Sequence, residues 1–266
     1  VSEGRRLLAA HLRQRIEMGE DEAFLDALDA GTAAELVGER EESSSSRSSP
    51  KPVPDERRAP ARPAAPGAPT KEEIPTAAII ETSSLHQLGE LSQGCPRCSL
   101  CESRTQVVFG EGNHRAEVVV VGEAPGAEED RTGRPFVGRA GKLLDRLLLS
   151  VGFAREEVYI CNVLKCRPPK NRNPRPDEIE ACNPYLVRQV ELLKPRVVLA
   201  CGTFAAQTLL DTATSIGRLR GSVHEYHGVP LVPTYHPAAL LRNPAWGRPV
   251  WEDLQRLRRI AKGESD

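Results

Sequence analysis

The run Ala116-Glu-Val-Val-Val-Val121 leads without a break into Gly122-Glu-Ala-Pro-Gly-Ala-Glu-Glu-Asp130. Consecutive valines suit a strand of a parallel sheet, buried on both faces. Five glycines fall between residues 122 and 141. Such density means that the backbone comes close to something, because glycine alone has no Cβ to obstruct the approach. One aromatic residue, Phe136, lies in this stretch, and Lys142-Leu-Leu-Asp-Arg-Leu-Leu-Leu149 then reads as a helix. Strand, Gly/Pro-rich turn, acids and helix are how α/β proteins present a ligand at the carboxyl end of a strand.

The rest of the globular sequence repeats the alternation. Strands are expected at Glu117–Val121, Val158–Val163, Val197–Cys201 and Val229–Thr234, with His224–His227 pairing as a short strand against the last. Helices are expected at Ala140–Val151, Pro176–Leu193, Thr203–Leu210 and Pro249–Lys262. This order predicts an α/β fold with a mainly parallel sheet covered on both faces. Residues 1–39 read as a helical N-terminal appendage, a docking element more than a catalytic one. Residues 40–76, with Ser43-Ser-Ser-Ser46 and seven prolines from Pro50 to Pro69, read as a disordered linker. Residues 77–266 form the globular domain.

Charge divides along the chain. Residues 1–94 carry 11 basic and 17 acidic side chains, residues 95–266 carry 25 and 20. A basic globular part suits a polyanionic ligand, although many domains of this charge bind none. No apolar run approaches about 18 residues, so no membrane span is expected. No secretory leader is visible, and a cytoplasmic location is expected. The seven cysteines, an odd number, then point to metal or redox chemistry more than to disulfides.

Three further features carry chemistry. Cys95-Pro-Arg-Cys98 supplies two local thiols, and Cys166 and Cys182 two distant ones. Together they suit a tetrahedral sulfur site for zinc or an iron–sulfur cluster, and spacing does not choose between the two. Cys101 adds a second x2 step that leaves open which two local thiols bind, while Cys161 and Cys201 lie in apolar strands and read as core residues. Asn162 ends a strand, where its amide can read a nucleobase edge or merely cap a turn. His236 lies just past the carboxyl end of another, Val229–Thr234, in Thr234-Tyr-His-Pro-Ala-Ala-Leu-Leu-Arg242. Leu240, Leu241 and Arg242 after it make an apolar wedge with a cation, a combination able to enter a base stack. Lys165 to Arg175 holds five cations in eleven residues, either a solvated loop or a phosphate-contacting one.

From about Gly94 to Lys262 these blocks resemble the family 4, iron–sulfur type, uracil-DNA glycosylases. The resemblance rests on Cys95-Pro-Arg-Cys98, Val108-Phe-Gly-Glu-Gly-Asn113, Gly122-Glu-Ala-Pro-Gly126 through Gly141, Tyr159-Ile-Cys-Asn-Val-Leu-Lys-Cys-Arg-Pro-Pro169 and His236-Pro-Ala238. It implies a three-layer α/β/α sandwich around a four-stranded, mainly parallel sheet, and excision of uracil from single- or double-stranded DNA. It also implies a 4Fe–4S cluster on Cys95, Cys98, Cys166 and Cys182; Cys101 is a departure, since no ligand is expected there.

On this resemblance Glu123 and His236 are the catalytic candidates. Ala124, Gly126, Glu129, Phe136 and Asn162 are expected around the uracil, and Leu240, Leu241, Arg242, Lys170 and Arg172 against the DNA. Phe136 stacks on the flipped base, Asn162 reads O4 and N3, and neutral His236 donates to O2. Glu129 or Asp130 crowds the C5 side, or both belong to a solvated turn. The cluster is expected to be structural, the chain monomeric, and the N-terminal arm a binder of another protein. A DNA-binding accessory of the same fold without activity is the alternative. A relative bonding covalently to the abasic site would need an added nucleophilic loop, and none is seen between Gly138 and Leu143.

Overall fold

The computed structural model describes residues 74–264. The expected N-terminal appendage, and the linker as far as residue 73, lie outside the described residues.

Two short helices come first, α1 (Thr76–Ile80) and α2 (Leu85–Gln93). The Ser84 hydroxyl accepts from the Gln87 amide and caps α2. The remaining elements are β1 (Glu111–Gly112), β2 (Val118–Gly122), α3 (Ala127–Thr132), α4 (Arg139–Ser150), β3 (Tyr159–Asn162), α5 (Pro176–Leu193), β4 (Val197–Cys201), α6 (Thr203–Leu210), α7 (Ile216–Leu219), β5 (His224–Tyr226), β6 (Val229–Thr234), α8 (Pro237–Arg242) and α9 (Gly247–Lys262).

The sheet has six strands in the order β1-β3-β2-β4-β6-β5. The expectation of four is corrected at the edges. β3, β2, β4 and β6 form the parallel centre, and β1 and β5 pair antiparallel at the two sides. β5 is the short strand read from His224 onward. β1 is two residues long, too short to leave a period-2 signature.

Both faces are covered, as continuous apolar strands require. Val119, Val121, Tyr159, Cys161, Val198 and Ala200 pack beneath Leu186, Val190 and Leu193 of α5 and Ala205 and Leu209 of α6. Val118, Val120, Ile160, Leu199 and Val232 pack beneath Leu144 and Leu148 of α4 and Leu254 and Leu257 of α9. Each valine, leucine or isoleucine among them, buried in full, contributes roughly 1.5–3 kcal/mol.

The topology also places the site. From β2 the chain moves to β3 on one side, then returns to β4 on the other. Connections therefore leave β2 and β4 toward opposite faces, and a crevice opens at their carboxyl ends. The ends are in register, with Gly122 opposite Asn162 and Cys201 opposite Thr234.

Candidate active site

Four residues from three strand ends and one loop meet in this crevice. A Cβ on Gly122 would lie 2.4 Å from Asn162 Oδ1 and 2.5 Å from Phe136 Cζ, so only glycine leaves room for both. The Phe136 and His236 rings stack with centroids 5.6 Å apart and planes at 28°. Behind His236, a Cβ on Gly202, the residue after β4, would lie 3.0 Å from the His236 Cβ.

His236 has its tautomer set by the backbone. It is the N-cap of α8, and its Nδ1 accepts from the Ala238 amide at 3.1 Å. An accepting Nδ1 carries no proton, so in the neutral ring Nε2 bears it and donates. Burial, reinforced by the Arg242 cation and opposed by Glu129, pushes the imidazole down to about 4. The ring is therefore a neutral Nε2–H donor at physiological pH.

Asn162 is buried, and its side-chain amide has no hydrogen bond within the described residues, which leaves donor and acceptor available to a ligand. Its backbone carbonyl accepts from Lys165 Nζ at 2.7 Å. Lys165, read as part of a cationic loop, is in fact buried and also bonds Gln189 Oε1, whose amide nitrogen reaches the Phe109 carbonyl. A lone lysine inside Val163-Leu-Lys-Cys166 is the only sequence hint of that role.

Glu123 follows β2 and is half-buried; burial raises its carboxyl above the ordinary range. No hydrogen bond or ion pair engages that carboxylate among the described residues, so it can take a proton from water or face a cation. Ala124 packs against the core at its edge.

Glu129 is placed differently from the expectation of base contact. Its Oε2 accepts from the Gly126 amide at 3.1 Å, and its Oε1 from the Val137 and Gly138 amides at 2.9 and 3.0 Å. Both oxygens are used in joining the turn after β2 to the loop that carries Phe136. Asp130 is buried and accepts from the Thr105 amide at 2.9 Å, so neither acid belongs to a solvated turn. The charged run Ala127–Thr132 is a helix, α3, because three acids occupy its first turn, where the backbone amides favour negative charge.

The expected wedge separates into two parts. Leu240 is buried in the core beneath α4, whereas Leu241 and Arg242 are exposed. The helical spacing of α8 turns one leucine inward and its neighbour outward. In the basic loop Lys170 is exposed, but Arg172 forms a two-bonded ion pair with the buried Glu178 of α5. That pair anchors the loop to the helix and commits the guanidinium.

Cys95, Cys98, Cys166 and Cys182 line one cavity with Arg104, Lys165 and Tyr185; Cys101 is not among its lining residues. Arg104 Nη1 donates to Cys166 Sγ at 3.2 Å and the Lys165 amide to Cys182 Sγ at 3.3 Å. Tyr185 Oη is buried beside Cys95 without a hydrogen bond of proper geometry among the described residues. Burial pushes the Cys166 and Cys182 thiols up to about 11 and about 12. No three potential ligands among the described residues stand close enough to share a single metal ion. Cys161 and Cys201 are core residues, as expected.

Comparison with known proteins follows the same lines. Residues 109–255 match the Uracil DNA glycosylase superfamily. A type-4 uracil-DNA glycosylase of Archaeoglobus fulgidus is 45% identical over 182 residues, 65% of this chain and 92% of that protein. One from Thermotoga maritima is 46% identical over 181 residues, 66% and 94% of the two chains. A type-5 uracil-DNA glycosylase of Pyrobaculum aerophilum is 34% identical over 171 residues, 58% and 74%.

Proposed function

The chain belongs to the uracil DNA glycosylase superfamily and is a uracil-DNA glycosylase, and from that premise we propose that uracil is bound and released in the crevice formed by Gly122, Phe136, Asn162 and His236. The observation that carries this reading is the convergence of those residues at the carboxyl ends of β2, β3 and β6.

The N-glycosidic bond lies inside the stack, so the nucleotide is flipped out before reaction. As the bond breaks, uracil gains negative charge and the sugar oxocarbenium character. The His236 Nε2–H donates to uracil O2, where charge accumulates, and Nδ1 stays occupied by Ala238. Asn162 donates to O4 and accepts from N3–H. Cytosine is rejected because its N4 amine meets the Asn162 donor. Phe136 forms the stacking floor. Glu123, without another partner among the described residues, orients the attacking water or faces the cationic sugar. Glu129 positions the loop of Phe136 by its three amide bonds. The exposed Lys170, Leu241 and Arg242 face the DNA, while Arg172 holds the basic loop in shape.

Cys95, Cys98, Cys166 and Cys182 are the residues that would hold the 4Fe–4S cluster of the family. Their arrangement around a cavity fits a bulky group better than zinc, whose sulfurs all lie about 2.3 Å from one ion. Arg104, the Lys165 amide and the Tyr185 hydroxyl, which no other described residue bonds, are the donors that anionic sulfur requires. When bound, the cluster supplies a cross-link between distant segments, since the hydrolysis transfers no electron.

Purified protein incubated with oligonucleotides carrying uracil or cytosine at one position, then treated with alkali, tests the reading. Strand breakage is expected at uracil and not at cytosine, together with iron and a broad visible absorption. Equal breakage at both bases would refute the pocket assignment, and zinc in place of iron would refute the cluster.

A further inference from the structure

Arg155 lies just before β3, in Ala154-Arg-Glu-Glu157, where no motif marks it. Its side chain is only 16% exposed and makes an unusual set of bonds. The guanidinium donates to the carbonyls of two successive residues, Pro135 at 2.6 Å and Phe136 at 3.2 Å. It is itself held by Glu111 of β1 at 2.6 Å and Asp145 of α4 at 2.7 Å. Glu111 is further shared with Arg134 at 2.7 Å.

The residue so gripped is strained. Phe136 has a φ of 50°, in the left-handed region that a bulky aromatic residue rarely enters. Such a conformation persists only where the surroundings over-determine it. Here the amides after Phe136 are bonded by Glu129, and the carbonyls at and before it by Arg155. Gly141 closes the third side, since a Cβ there would fall 1.8 Å from the Phe136 oxygen.

We infer that Arg155, braced by the edge strand β1, is a positioning residue for the uracil pocket. It fixes the backbone of Phe136 so that the ring faces Gly122 and His236, and the stacking floor thus depends on ion pairs outside the pocket. The inference rests on the reading of Phe136 as the stacking residue. Only a planar fork reaches two carbonyls and two carboxylates at once; lysine keeps the charge and loses the grip.

A double-mutant cycle on the full chain tests it, with kcat/KM for a uracil-containing oligonucleotide and Tm as readouts. Arg155→Lys is expected to lower kcat/KM by about tenfold or more, the scale of a misplaced reacting partner. In a Phe136→Ala background the same substitution should change kcat/KM by less than about twofold, because the ring it positions is gone. The fall in Tm should be similar in both backgrounds. Should Arg155→Lys not fold, Glu111→Gln takes its place in the cycle, with the same non-additivity expected. Equal losses of kcat/KM in the two backgrounds, or a fully active Arg155→Lys, would overturn the inference while leaving the stacking floor intact. Wild-type kinetics in Phe136→Ala alone would remove the floor itself and the inference with it.

Discussion

Replacing His236 with alanine is expected to slow uracil release by about 10²–10³-fold, the usual cost of losing one donor aimed at a developing oxyanion. The size follows from how the ring is prepared. Ala238 occupies Nδ1, so the single proton of the neutral imidazole sits on Nε2. His236 also caps α8, and alanine removes that acceptor as well as the donor. His236→Asn separates the two, since asparagine caps well but cannot place a donor at the same point. It should keep the Tm of the parent and lose most of the rate. The pH dependence has a definite sign. Burial puts the folded imidazole at about 4, below its ordinary 6.5, so above the ordinary value the group is neutral in both states and costs nothing. As pH falls from about 6.5 toward about 4 the unfolded chain takes up the proton first, and stability is lost through that window. An imidazole titrating near 6.5 in the folded protein would contradict this.

Gly141→Ala should be the most damaging substitution of a single methyl in the crevice. The added Cβ would lie 1.8 Å from the Phe136 carbonyl oxygen and 2.1 Å from its carbon. Both are backbone atoms, so no flexible side chain can yield. Overpacking of this kind costs about 1–3 kcal/mol, and more where the backbone cannot move. Relief requires Phe136 to leave its place, so excision should fall with stability. Gly247 is the control: nothing lies within 4 Å of its Cβ position, and it starts α9 with ordinary helical φ. Gly247→Ala should be neutral or slightly stabilising. Thermal denaturation and excision assays on the two variants check both expectations, and a Gly141→Ala protein equal to wild type in both would show that the loop is not packed as described.

Much of the frame was legible because the central strands are buried on both faces, and such strands must be written as apolar runs. Val197–Cys201, Val229–Thr234, Pro176–Leu193 and Thr203–Leu210 appear with the boundaries expected. Asn162 and His236 could be placed because the first ends such a run and the second lies two residues beyond one. Other parts were hidden for physical reasons. β1 is two residues long, a single period of alternation that no window can recognise. The acids of α3 look like a solvated turn until their backbone partners at Val137, Gly138 and Thr105 are known, and those partners are tertiary. Leu240 and Leu241 are chemically alike, and only the phase of α8 decides which is buried. Arg155 finds Glu111 across 44 residues, a pairing that no local pattern encodes.

Titrating free uracil into nitrogen-15-labelled protein tests by NMR, most directly, the proposed seating of uracil between Asn162 and His236. The expected result is that the Asn162 side-chain amide and the His236 Nε2 resonances move together and saturate at one uracil per chain, while cytosine leaves them in place. Saturable shifts confined to other residues, with Asn162 and His236 unmoved, would contradict the account.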